Sequence, residues 1–279
     1  MPLLDHFSEE QPSLREERES ADVAEIRGGL AAKEFEPFFQ PIVRLIDGQV
    51  VGFEALARWR NQLRGLLPPS DFVGRAEASG LIRALDTVIL ENAWRGLDKA
   101  LEACPQPEPL VLSVNLSAEH FIDTKIVENV RALIAEGRGK RSRLQFEITE
   151  TLLINNTENA EQILSELKAL GVSIALDDFG TGYSSLVYLH RFPIDCLKVD
   201  RSFSELLVRS GRSMAIVRSI INLAQSMGLH TVAEGVEESE VADELLMMGC
   251  EYAQGSRFGH PAPQADLIAL LSRTGPANA

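Results

Sequence analysis

TENAEQILSELKALGVSIALDD, residues 157–178, holds both halves of a repeating unit. In its first part Ala160, Ile163, Leu164, Leu167 and Leu170 recur at helical spacing on one face, and Gly171 stands at the stop. The second part, VSIALDD (172–178), is an unbroken apolar run that ends in two adjacent carboxylates. A run of this kind reads as a strand buried on both faces, the habit of parallel sheets. SMAIVRSIINLAQSMG (213–228) and SEVADELLMMG (239–249) repeat the helical design, each ending at glycine. Further strand candidates are VVGFEAL (50–56), LVLSVNL (110–116), LQFEIT (144–149), CLKVD (196–200), HTVAE (230–234) and YAQG (252–255). Strand-helix alternation predicts the α/β class, and about 250 residues of it is the size of one TIM-type barrel.

The chain has 279 residues, 45% of them hydrophobic, enough for one large domain or two smaller ones. No Pro/Gly/Ser-rich linker interrupts the pattern after about Ala24. Residues 1–24 read as an acidic linker or frayed helix, 25–272 as the folded unit and 273–279 as a flexible tail. The charged start also raises the expectation of an N-terminal regulatory domain in a longer parent protein. With 41 Asp and Glu against 27 Lys and Arg, the net charge of −14 argues against a surface made for a nucleic-acid polymer or anionic lipid. An anionic ligand therefore needs local positive charge, and a bound metal ion is one source of it. Cys104, Cys196 and Cys250 form no CxxC pair and read as reduced thiols. No apolar run approaches the ~20 residues of a membrane helix, and the N-terminus lacks signal-peptide order, so the expected location is the cytoplasm.

Each strand candidate carries a polar residue near its C-terminal end: Glu54, Asn115, Glu147, Asp177 with Asp178, Lys198 with Asp200, Glu234 and Gln254. Singly, such a residue is a turn former or helix cap. In a barrel these ends open on one face, so residues distant in sequence converge in one mouth. So many carboxylates need cations, and a set of oxygen donors without His or Cys suits Mg²⁺ or Mn²⁺ better than zinc. Lys198, on an apolar strand, requires acidic partners. The five histidines show no HExxH spacing, and neither GxGxxG nor GxxxxGK[ST] occurs.

EALAR (54–58), SVNLS (113–117), FEITET (146–151), LDDFGTGYSSL (176–186), LKVDRSF (197–203), TVAEGVE (231–237) and YAQG (252–255) follow one another in this order. The set resembles the EAL domain, the bacterial phosphodiesterase that opens cyclic di-GMP, across residues 25–272. The resemblance implies a TIM-like (β/α)8 barrel with its first strand antiparallel to the others, two Mg²⁺ or Mn²⁺ ions in the mouth, and pGpG as product. It assigns Glu54, Asn115, Glu147, Asp177 and Asp178 to the metals, Glu234 to the general base and Lys198 to holding the attacking water. Arg58 and Gln254 fall to substrate contacts, Gln254 near that water. Asp200 and Glu237 become supporting acids, and Glu150 the anchor of the loop carrying Thr181 and Gly182. Ca²⁺, which prefers more ligands and longer bonds, is expected to inhibit. The resemblance also implies a homodimer, with a catalytically silent cyclic di-GMP receptor as the alternative function. GSRFGHP (255–261) and WRNQLRG (59–65) depart from the family's usual pattern without removing a ligand.

Overall fold

A computed structural model describes residues 12–150, 152, 157–180, 186–205, 207 and 211–272. Ten strands are present among them: β1 (Phe35–Arg44), β2 (Val50–Asn61), β3 (Gly65–Leu67), β4 (Leu110–Asn115), β5 (Ser142–Thr149), β6 (Ser173–Phe179), β7 (Cys196–Val199), β8 (His230–Ala233), β9 (Tyr252–Gln254) and β10 (Ala262–Pro263). Eight close into a ring in the order β1-β2-β4-β5-β6-β7-β8-β9, with β1 pairing again to β9. From β2 through β9 neighbouring ring strands run parallel, whereas β1 lies antiparallel to both β2 and β9. The barrel with one antiparallel strand is thus present.

The antiparallel strand is the one that the strand candidates omit. FEPFFQPIVR contains Pro37 and Pro41, and proline normally demotes a run to an edge or a loop. Here the side of β1 facing β9 and β10 pairs only at 38–39 and 42–44, skipping both prolines. The hairpin to β2 turns at Asp47-Gly48, with Gly48 at φ 67°, a two-residue signal that could have exposed the strand.

Alternation along each strand then divides the molecule. Phe39, Phe53, Leu112, Val114, Phe146, Ile174, Leu176, Leu197 and Val199 point outward into the large core shared with the surrounding helices. That shell includes the helices Ile82–Ala103, Lys125–Ala135, Thr157–Ala169 and Gly211–Met227. Residues of the other parity face the barrel interior. At its floor Ile42, Ala175, Cys196 and Val232 form a small apolar plug. Above the plug the same parity yields Glu54, Ser113, Glu147, Lys198 and Gln254, so a polar layer crosses the barrel.

The helix Pro12–Ala31 runs through the boundary expected at 24/25. Ile26 packs with Phe35, Trp59 and Phe72, and Glu25 pairs with Arg64 and Arg75. No helix of the described residues is long and apolar enough to cross a membrane.

Candidate active site

Lys198 organises the interior. Its side chain is 1% exposed, and Nζ lies 2.7 Å from Glu147 Oε2, 3.4 Å from Asp177 Oδ1 and 3.8 Å from Glu54 Oε2, with Glu234 Oε1 in closer contact still. Burial alone lowers a lysine's pKa, but the charges of Glu147, Glu234, Glu54 and Asp177 outweigh it and hold the ammonium well above its usual range. β7 can therefore carry this lysine only because β2, β5, β6 and the residue that follows β8 each contribute an acid.

One ammonium does not balance those acids. Glu147 is raised well above the carboxylate range, first by burial and then by the charge of Glu54. Glu234 is pushed up to about 7, by burial first, with the negative charges of Asp177 and Glu54 adding and Lys198 opposing. Glu54 goes the other way: burial pushes it up, but Lys198 and the amides of Gln254 and Asn115 bring it below the usual value. Asn115 Nδ2 donates to Glu54 Oε1 at 3.0 Å, and Gln254 Nε2 to Glu54 Oε2 at 2.5 Å and to Gln40 Oε1 at 2.9 Å. Gln40 Nε2 in turn donates to Gly259 O at 3.1 Å.

Asp177 and Asp178 reach the mouth by different routes. A regular strand would send neighbours to opposite faces. Here the β6–β7 register shifts between Leu176 and Phe179, and Asp178 adopts φ 55°, a left-handed conformation. The bulge turns the second carboxylate back toward the first, and carboxylate oxygens of Asp177, Asp178 and Glu234 all lie within 4.8 Å of one another. Asp178 is raised by burial, then by the charges of Asp177 and Asp200. The bulge, the left-handed Asp178 and the neighbouring Glu234 thus gather three carboxylates at this strand end.

The donors fit divalent metal of the Mg²⁺ or Mn²⁺ kind. They are oxygens throughout, the acids outnumber the lysine, and Gln254 Oε1 is buried with no hydrogen-bond partner.

The remaining expected residues are distributed as follows. Arg58 shares the inward face of β2 with Glu54, lies over the Phe38 ring at 5.5 Å, and donates to Ala57 O at 2.8 Å. Burial lowers its pKa, with Glu54 acting in the opposite sense. Asp200 caps the helix Arg201–Ser204, accepting from Ser202 N at 3.0 Å. Glu237 is exposed and faces Arg201 at 3.2 Å, because the chain turns away after Glu234 at Gly235, φ 64°. Glu150 is buried, while Thr181 and Gly182, with the rest of 181–185, lie outside the described residues.

Three interior residues escaped the sequence reading: Gln40, Ser113 and Gln145. Ser113 Oγ donates to Glu147 Oε1 at 2.6 Å, and Gln145 Nε2 donates to Ser113 Oγ at 3.2 Å. Their signal was the one applied to Lys198, a polar side chain inside an apolar strand run.

Comparisons with known proteins bear on the family and the fold. The family model described as EAL domain matches residues 23–261. Cyclic di-GMP phosphodiesterase RocR of Pseudomonas aeruginosa is 36% identical over 273 residues, 97% of this chain and 69% of that protein. Cyclic di-GMP phosphodiesterase NbdA of the same organism is 41% identical over 265 residues, 95% of this chain and 34% of that protein. The solved structure of the PaMucR phosphodiesterase in complex with c-di-GMP is similar with a TM-score of 0.80 at 35% identity, covering 88% of this chain and 99% of that one. The chain spans between 29% and 34% of the length of NbdA and two further curated relatives that it matches.

Proposed function

This chain belongs to the EAL domain family, and we propose that it hydrolyses cyclic di-GMP to linear pGpG with two Mg²⁺ or Mn²⁺ ions at the barrel mouth. One observation carries the reading: Glu54, Asn115, Glu147, Asp177, Asp178 and Glu234 come from five ring strands or their ends to one mouth around Lys198 of a sixth, leaving a large excess of negative charge. Such an excess is stable only when neutralised, and a substrate carrying two phosphates could not enter otherwise. Glu54, Asn115, Glu147, Asp177 and Asp178 would hold the ions. When bound, divalent ions supply charge that polarises the phosphoryl oxygen and lowers the pKa of water.

The chain's own groups do the rest. Arg58, on the rim above Glu54, binds a phosphate oxygen and orients the ring. Lys198 holds the attacking water, and Glu234 takes its proton as the water oxygen bonds to phosphorus. The P–O3′ bond breaks on the opposite side, the electron pair stays on the 3′ oxygen, and that oxygen takes a proton from solvent water to leave as a hydroxyl.

The test is product analysis. Cyclic di-GMP incubated with the chain and Mg²⁺ yields pGpG on chromatography. Binding of the dinucleotide with no new peak makes the chain a receptor and ends the enzymatic reading. Cleavage of a generic aryl phosphodiester with indifference to cyclic di-GMP ends the substrate assignment.

A further inference from the structure

Below the mouth, two polar side chains, Ser113 and Gln145, lie beneath the ring of acids and touch neither Lys198 nor the opening. Ser113 on β4 is fully buried at 0% exposure and stands in register with Glu54 on one side and Gln145 on the other. A serine hydroxyl has one proton to give. Because the Gln145 amide donates to Ser113 Oγ at 3.2 Å, that oxygen acts as acceptor toward β5 and its proton goes to Glu147 Oε1, 2.6 Å away. The other oxygen of Glu147 receives Lys198 Nζ at 2.7 Å. Each oxygen of Glu147 thus has its own donor. The terminal carboxylate torsion, which is broad in a free glutamate, is held at one setting.

We propose that Gln145 and Ser113 form a positioning relay for Glu147, fixing the carboxylate in the orientation in which it receives a divalent cation. The inference rests on the functional reading above. Gln145 acts only through Ser113, and Ser113 only through Glu147. The relay predicts a hierarchy rather than three independent contributions. Gln145 also borders a cavity of about 650 Å³ at the barrel floor, together with Arg143, Cys196 and Tyr252.

The test uses the full chain as wild type, Ser113→Ala, Gln145→Met and the double variant. Mg²⁺ affinity is measured by calorimetry, the Mg²⁺-induced rise in Tm by thermal melts, and the half-saturating Mg²⁺ by cyclic di-GMP turnover. Ser113→Ala is expected to weaken Mg²⁺ binding ~10- to 100-fold, the range for loss of a group that orients a metal ligand. Gln145→Met gives a smaller loss, and the double variant matches Ser113→Ala alone. The Mg²⁺-induced rise in Tm shrinks in the same order. If Ser113→Ala binds Mg²⁺ within twofold of wild type while its Tm falls equally in EDTA and in Mg²⁺, the hydroxyl only satisfies a buried acceptor and the relay is wrong. Multiplicative losses in the double variant contradict it as well. A wild-type chain that binds no divalent ion overturns the functional reading, and the relay with it. Normal binding by the wild type with unaltered variants overturns the relay alone.

Discussion

Lys198→Met exchanges the interior ammonium for an apolar side chain of nearly equal length. Four carboxylates then face one another without a cation, at sites where Lys198 Nζ had stood 2.7 Å from Glu147, 3.4 Å from Asp177, 3.8 Å from Glu54 and in close contact with Glu234. Removing one partner of a buried charge pair destabilises by about 3–5 kcal/mol. At about 2 °C per kcal/mol for a domain of this size, the melting temperature in EDTA at pH 7.5 falls by ~6–10 °C. The pH dependence gives the sign. Glu234 is raised from 4.5 to about 7 in the folded chain, so between those values the folded state binds more protons than the unfolded one. Metal-free wild type therefore loses stability as pH rises through that window. The raised pKa of Lys198 adds stability that is fully present below its ordinary value of 10.5 and is lost only above it. Without Lys198 all four acids must take up protons to relieve their repulsion, so the variant's slope is steeper and its deficit narrows at pH 5.5. Circular-dichroism melts at pH 5.5, 6.5, 7.5 and 8.5 in EDTA, repeated with added Mg²⁺, measure this directly. A variant that melts within ~2 °C of wild type at pH 7.5, or whose deficit does not shrink with acid, refutes the electrostatic reasoning.

Glu234→Gln keeps the shape but cannot accept a proton, and steady-state kinetics should show kcat lower by ~10²–10⁴ with KM changed far less. Asp177→Asn and Asp178→Asn should each lower kcat by at least ~10², the scale of losing a well-placed charge. In EDTA the Asp178 variant should melt at or above wild type, because asparagine tolerates φ 55° and the repulsion that raises Asp178 is gone. Wild-type kinetics in either would return the pair to being a turn. Replacing Mg²⁺ by Ca²⁺ at equal concentration should abolish turnover while leaving the protein folded by circular dichroism, since Ca²⁺ prefers longer bonds and more ligands.

The barrel was legible where two periodicities meet. Residues 157–178 show a helical face and then a doubly buried strand, and the same sequence of elements around the chain gives the ring. β1 was hidden because Pro37 and Pro41 interrupt a run that otherwise reads FEPFFQPIVR, and only the irregular pairing beside it makes them tolerable. Among the site residues, Glu54, Glu147 and Lys198 could be singled out as polar groups near strand ends. Ser113 and Gln145 sit one inward step deeper, where nothing in the chain distinguishes a relay from an isolated polar residue until the register places them side by side. The adjacency of Asp177 and Asp178 was visible, but the bulge that sends both to the mouth depends on pairing with β7. Glu237 follows Glu234 closely in sequence, yet the left-handed turn at Gly235 sends it to Arg201 on the surface.

In the proposed function the acidic mouth becomes a hydrolytic site only when divalent ions neutralise it. The most direct measurement is the rate of pGpG formation from cyclic di-GMP by one preparation in Mg²⁺, after excess EDTA, and after Mg²⁺ is restored. The claim predicts turnover, then none, then recovery. Undiminished turnover in EDTA contradicts it, and so does its absence in both Mg²⁺ and Mn²⁺.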